Sequence, residues 1–301
     1  MKSAIGIARL AALLAITLAA GAASGGDASH ADRDGQEPPV VEPVVACHDA
    51  AARDQDDLAI WVHPKDPAQS TIIASDKAAG RLFVYDLAGR TVQVVETPMP
   101  GNIDVRYGFP LGGRKVDIVA FNQRRNGFRI VVYAVDPATR KLERVDNGGI
   151  ETGPNYGGTL YHSAKTGRFY FITTSMPGEC EQYELADDGS GKVAGRKVRT
   201  WKAGFAEAAV ADDERGKLYI GEESAGVWEL GAEPDDPAPG RRVIRTGENG
   251  LTADVEGLAI HPDVGGRRCL VVSNQSRNHF KVYRLDDYAL VGTFAVRGAR
   301  D

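Results

Sequence analysis

The chain is poor in the residues that most often carry covalent or redox chemistry. It has 3 cysteines in 301 residues: Cys47, Cys180 and Cys269. They stand far apart, so no close-spaced metal or redox motif exists and a disulfide framework is not indicated, although one optional bridge stays open. No G-x-S-x-G elbow or Cys/His pairing stands out, which argues against a serine or cysteine nucleophile. His63, His162 and His261 each follow an apolar run and read as structural or surface residues. An excess of positive charge is also missing. Lys and Arg number 36 against 41 Asp and Glu, a formal net charge of -5. That balance argues against a nucleic-acid partner. Amphipathic helical patterning is absent as well, which points away from helical bundles and α/β folds.

What is present begins with a leader. "MKSAIGIARLAALLAITLAAGAASGG" has Lys2 and Arg9, a short apolar core from Leu10 to Ala20, and small residues after it. Residues 1–22 read as a secretory signal peptide, too short in its apolar run for a membrane anchor. No other segment could span a bilayer. The expected mature protein is secreted or periplasmic, with no membrane attachment after cleavage. Residues 23–39, "ASGGDASHADRDGQEPP", read as a disordered linker, and the folded domain is expected over residues 40–301. Hydrophobic residues make up 43% and charged residues 26%, enough apolar material for a sizeable core.

A repeat runs through that domain. Five units are visible, and most hold a short apolar strand, a polar turn, a second apolar strand and a third strand ending in an aromatic. The closing aromatics are Tyr85, Tyr133, Tyr183, Trp228 and Tyr283, spaced by 48, 50, 45 and 55 residues. A period near 50 built from β-type runs predicts an all-β fold of propeller blades rather than a sandwich. "VVEPVVAC", residues 40–47, is a spare N-terminal strand.

In a propeller, strand ends converge at one mouth. The charged residues placed there are Asp54, Asp56 and Asp57, Asp76 and Lys77, Glu207, Glu222 and Glu223, Asp254 and Glu256. Any one of them alone reads as a solvated turn residue. The doublets Glu222/Glu223 and Asp254/Glu256 have no adjacent lysine, and like charges so close need something positive between them. Carboxylates with few His or Cys nearby favour a hard cation, Ca²⁺ over Zn²⁺. Lys77, Arg106, Arg124 and Arg125 supply a basic rim of the kind that binds phosphate.

Several strings resemble the β-propeller phytases: "DQDDLAIWVHPKDP", "GNIDVRYGFPLGGRKVDI", "YHSAKTGRFY", "EQYEL", "VADDERGKLYIGEE" and "TADVEGLAI". They run in family order from about Asp54 to Tyr283. The resemblance implies a six-bladed propeller with several calcium ions. It also implies a monomeric, secreted, calcium-dependent phosphatase that releases phosphate from phytate, myo-inositol hexakisphosphate, by attack of calcium-activated water. Glu207, Glu223, Asp254 and Glu256 match catalytic-calcium carboxylates. Tyr156 matches a catalytic-site residue and Gln275 a further ligand to metal and substrate. Lys77 and Arg124 match phosphate-binding cations, and Asp57 a structural calcium ligand. Three departures are visible. Lys77 is followed by Ala78 rather than a second lysine. Met176 and Pro177 replace a Lys-Glu pair, so the neighbouring phosphate pocket is expected to be weak. The family pattern continues past Asp301, so the last blade is expected to be short of strands. These departures favour the alternative of a degenerate, non-catalytic propeller that binds inositol phosphate, calcium or a protein. A propeller lactonase is a third reading, against which Lys77 and Arg124 count.

Overall fold

The computed structural model describes residues 37–298. The expected signal peptide and residues 23–36 of the expected linker lie outside the described residues. What is described is all-β, apart from two single-turn 3-10 helices at Pro67–Gln69 and Gln275–Arg277. No helix there is long and apolar enough to cross a membrane.

The strands form five antiparallel sheets in chain order. The first blade is Gln55–Trp61, Thr71–Asp76, Arg81–Asp86 and Thr91–Glu96. The second is Pro100–Leu111, Arg114–Gln123 and Arg129–Asp136, with Lys141–Arg144 and Ile150–Glu151 both paired to its third strand. The third is Gly158–His162, Phe169–Thr173, Glu179–Asp187 and Val193–Lys202. The fourth is Ala206–Asp212, Lys217–Glu222, Gly226–Gly231 and Arg241–Arg245. The fifth is Val255–Pro262, Arg268–Asn274, His279–Arg284 and Leu290–Val296.

Two expectations are corrected here. The propeller has five blades among the described residues, not six. Its last blade is not short: "LVGTFAV", Leu290–Val296, turns back from the Arg284–Ala289 hairpin as a full fourth strand. Each repeat unit supplies its own meander, so the number of blades follows the number of repeats. Val40–Val41 then adds to the fifth sheet in parallel, opposite Ala295 and Val296.

The closing aromatics all stand on third strands. Tyr85, Tyr133, Tyr183 and Tyr283 are buried, and half-buried Trp228 donates its indole N–H to Glu222 at 2.8 Å. Strand alternation sends one face of every blade to each neighbour. Four apolar clusters therefore fill the seams between consecutive blades. Between the first and second, Trp61 packs with Ile73, Val105, Phe121 and Tyr133 and donates to Asp117 at 2.9 Å. The inner strands pack against one another from first to fifth, but no comparable packing joins the fifth to the first. On that flank Cys47, Ala51 and Ala52 cover Ala74, Phe83 and Tyr85 instead. Arg106, expected on the basic rim, is a half-buried staple. It binds Asp104 at 2.9 Å, Asp213 at 2.7 Å and the Leu160 carbonyl at 2.6 Å, tying three blades together.

Trp61→Ala is expected to lower stability by about 3–5 kcal/mol, since a large buried ring leaves a cavity its neighbours cannot fill. Urea unfolding of the variant checks this.

Candidate functional site

The inner strands of four blades share an irregularity at the same end. In the first blade Gln55 pairs with Asp76 and Leu58 with Ala74, so one extra residue is accommodated between them. The same step separates Pro100 from Ile103, Ala206 from Ala209 and Val255 from Leu258. Each is a β-bulge, which breaks the in-out alternation and re-aims side chains. The first residue inside each bulge is Asp56, Gly101, Glu207 and Glu256 in turn. A second repeated position directly follows each second strand. Lys77, Arg124, Thr174, Glu223 and Gln275 occupy it, and their backbone N–H groups donate to the carbonyls of Asp54, Met99, Gly157, Phe205 and Asp254. The bulge residue in four blades, and the bonded pair in all five, thus lie at the same end of the propeller.

Glu207, Glu223 and Glu256 converge there, with ligand oxygens within 4.8 Å of one another. Glu207 and Glu223 are buried and Glu256 half-buried. Arg124, buried as well, pairs with Glu207 and lies 3.2 Å from Asp56. It also donates to Asn102 at 3.0 Å. Its guanidinium sits 4.7 Å from the centroid of the Tyr156 ring, which stacks at 5.5 Å on Phe205. Lys77 bonds Asp56 at 2.6 Å and lies 3.7 Å from Asp54. Two glycines permit the approach. A Cβ on Gly157 would fall 1.8 Å from the Glu207 carbonyl oxygen, and one on Gly101 would fall 2.5 Å from the Arg124 Nε.

Carboxylate charges within 4.8 Å repel by roughly 3–4 kcal/mol per pair at an effective dielectric of about 20. Three such pairs would amount to about 10 kcal/mol, the size of a domain's whole stability. Arg124 offsets only the part that falls on Glu207, so protons or a bound cation would relieve the rest. Burial, then Glu207 and Asp254, push Glu223 up to about 7. Burial, then Glu207 and Glu223, push Glu256 up to about 8. Burial and then the Glu207 charge raise the Tyr156 phenol, which stays protonated. At Lys77 burial opposes the charge, but the hydrogen bond to Asp56 and the surrounding carboxylates outweigh it and raise the pKa.

Asp254 lies within electrostatic reach of both Glu223 and Glu256. Gln275 is half-buried at the start of its 3-10 turn, its N–H 3.1 Å from the Asp254 carbonyl. Asp57 stands apart. As the second residue of its bulge it accepts from the Ile103 N–H at 3.0 Å and the Leu58 N–H at 2.8 Å. Burial pushes it up to about 7 against those bonds. Glu222 turns the other way, to Trp228 and, at 3.5 Å, to Arg242, so only one member of its doublet faces the mouth. Arg125 points to solvent where Arg124 points inward. Asp76 accepts the Arg53 and Asp54 N–H groups and is a turn anchor.

A profile of the family described as Phytase matches residues 2–301. The chain belongs to the phytase family. Over 249 residues it is 43% identical to the 3-phytase of Bacillus subtilis (strain 168), covering 81% of this chain and 64% of that protein. This phytase-family chain therefore spans less than two thirds of that relative's length. Among solved structures, Chaetomium thermophilum Sqt1 bound to the N-terminus of ribosomal protein L10 is similar at a TM-score of 0.44 and 15% identity, over 81% of this chain and 62% of that one. That likeness is too slight to bear on fold or function.

Asp56 is the site residue that family matching of this chain did not single out, although it links both cations. Aligning "QDDL", "AEAA" and "VEGL" by their bulges finds it, because Asp56 stands where Glu207 and Glu256 stand. Asn122 was also missed. It donates to the Asn155 side chain at 2.9 Å and the Tyr156 carbonyl at 3.0 Å, fixing the loop that carries the tyrosine.

A pH dependence follows for the cation-free protein. Glu223 and Glu256 have folded pKa values of about 7 and about 8, above the ordinary 4.5. Their protonated forms favour the folded state, a contribution fully present below about pH 4.5 and lost as pH rises through about 7 to 8. Thermal unfolding in chelator should therefore show a melting temperature that falls across this window, and added calcium should flatten the slope.

Proposed function

We propose that this site hydrolyses phosphate monoesters with calcium, that myo-inositol hexakisphosphate is a substrate, and that the chain acts as a secreted or periplasmic monomer. The observation that carries the reading is the convergence of Glu207, Glu223 and Glu256 beside Arg124. The residues fit a hard cation. All donors are oxygens, and the buried Glu223 Oε1 has no hydrogen-bond partner. Glu207, Glu223, Asp254 and Glu256 would hold the catalytic ions, with Gln275 beside them. Asp57 would hold a separate structural ion at the seam of the first and second blades. Bound at the mouth, calcium would offset phosphate charge and make a nearby water more acidic.

The chain's own residues do the rest. Arg124, which balances Glu207 and Asp56, and Lys77, held by Asp56, present cations to phosphate oxygens. Protonated Tyr156 is hydrogen-bonded to Glu207 beside them. Hydrolysis joins the water oxygen to phosphorus, breaks the bond from phosphorus to the ester oxygen, and returns a proton to the leaving alcohol. Exposed Met176 at the expected second phosphate pocket offers no charge, so discrimination for a neighbouring phosphate should be weak.

One observation favours non-catalytic binding: Arg124 is already engaged by two carboxylates. The two readings separate by phosphate release from inositol hexakisphosphate on purified, monodisperse protein. Release is expected with calcium and not in excess chelator. Glu223→Gln and Asp254→Ala should each lower it by at least about a hundredfold and weaken the calcium-dependent rise in melting temperature. Undiminished release in chelator overturns the proposal, and calcium-dependent binding without release establishes the binder.

A further inference from the structure

The mouth is not charged all the way round. The position before the inner strand is Asp54 in the first blade and Asp254 in the fifth, but Phe205 in the fourth. Met99 and Gly157 fill it in the second and third, so a large aromatic ring stands where two of its four counterparts are carboxylates. It is 40% exposed, and its carbonyl accepts the Glu223 N–H at 3.0 Å, so it adjoins the carboxylate cluster directly. Its ring stacks on Tyr156, whose own face lies 4.7 Å from the Arg124 guanidinium. A second exposed apolar side chain belongs to the same sector. Met176 is 58% exposed on the Ser175–Gly178 turn. That turn is joined to the segment before Phe205 by the Ala203 N–H to Gly178 carbonyl bond at 2.8 Å, and it packs so closely that a Cβ on Gly178 would lie 2.9 Å from Gly204. Thr174, at the base of this turn, accepts the Tyr156 N–H at 2.7 Å.

Exposed apolar groups gathered beside a polar site mark a place where a ligand's apolar part rests. Here Tyr156 adjoins both, with the Arg124 guanidinium 4.7 Å from its ring centroid and the partly exposed Phe205 ring stacked on it at 5.5 Å. A group that fits both is a phosphate joined to a flat, apolar alcohol. Resting on the phosphomonoesterase reading, we propose that Phe205, backed by Tyr156 and flanked by Met176, binds the alcohol half of the substrate, so that the site takes monoesters of planar aromatic alcohols as well as inositol phosphates. Ring stacking favours such a group, and the aryl group needs no second cationic pocket.

The test compares 1-naphthyl phosphate with glycerol 2-phosphate, both with calcium. In the unaltered protein the ratio of their kcat/KM values should favour the naphthyl ester. Phe205→Ala should lower that ratio about five- to tenfold, chiefly through KM for the aryl ester, whereas Phe205→Trp should preserve it. An unchanged ratio, or an equal loss on both esters, overturns the assignment. Should the protein release no phosphate from any ester, calorimetry with phenylphosphonate and methylphosphonate still decides. A preference for the phenyl ligand that Phe205→Ala removes supports the apolar rim even as the hydrolase reading fails. Equal binding of both, or binding of neither, overturns it.

Discussion

An inner propeller strand normally alternates its side chains between the seams on either side, which leaves little room for charge. One extra residue at the head of the strand suspends that alternation, and in four blades this is where the mouth residues emerge. Glu207 and Glu256 are thereby turned toward the axis instead of into apolar seams, and Asp56 toward Lys77 and Arg124. The third blade begins in register at Gly158, opposite Thr173, and contributes a glycine, a threonine and a tyrosine in place of carboxylates. Where the bulge is missing, so is the inward charge.

Crowding follows from that geometry, and it couples blades that also meet through apolar seams and the Arg106 staple. Glu207 and Glu223 come from the fourth blade, Asp254 and Glu256 from the fifth, Arg124 from the second and Asp56 from the first. The protein chain supplies too little positive charge for so many buried anions. Arg124 serves two of them at once, and one oxygen of Glu223 goes without a donor. An ion seated among these groups would bind the folded arrangement and not the unfolded chain, and would stabilise it by mass action. The effect matters most in an arc whose fifth and first blades lack the packing that joins the others.

The all-β class, the repeat and the third-strand position of the closing aromatics were legible because they depend on period and side-chain type. The number of blades was legible in the five repeat units, and departed only from the family expectation of six. Leu290–Val296 was overlooked as a strand because no closing aromatic marks it. Direction was harder to read. Glu222 and Glu223 are neighbours, yet one reaches Trp228 and the other the mouth, as strand alternation requires. Asp56 and Asp57 diverge because they fill successive places in a bulge, and a bulge shows only when strand pairing is known. Arg106 has the composition of a rim cation, but its burial against Asp104, Asp213 and Leu160 depends on contacts between three blades.

A ring of equivalent positions also explains how such a site can vary without losing its frame. The backbone bond from the residue after each second strand to the residue before each inner strand is made in all five blades. It does not depend on either side chain. The pairs it joins are Lys77 with Asp54, Arg124 with Met99, Thr174 with Gly157, Glu223 with Phe205 and Gln275 with Asp254. Only some pairs tolerate exchange. Gly157 cannot carry a side chain, because the Glu207 carbonyl occupies the place a Cβ would need. Phe205 meets no such limit, since part of its ring faces solvent. Carboxylate charge at the mouth therefore comes from the bulges of the first, fourth and fifth blades together with Glu223 and Asp254, whereas the rim at Phe205 is open to substitution. On the proposed reading, the carboxylates would set the demand for an ion and Phe205 the preference for the alcohol, so one could change while the other is kept.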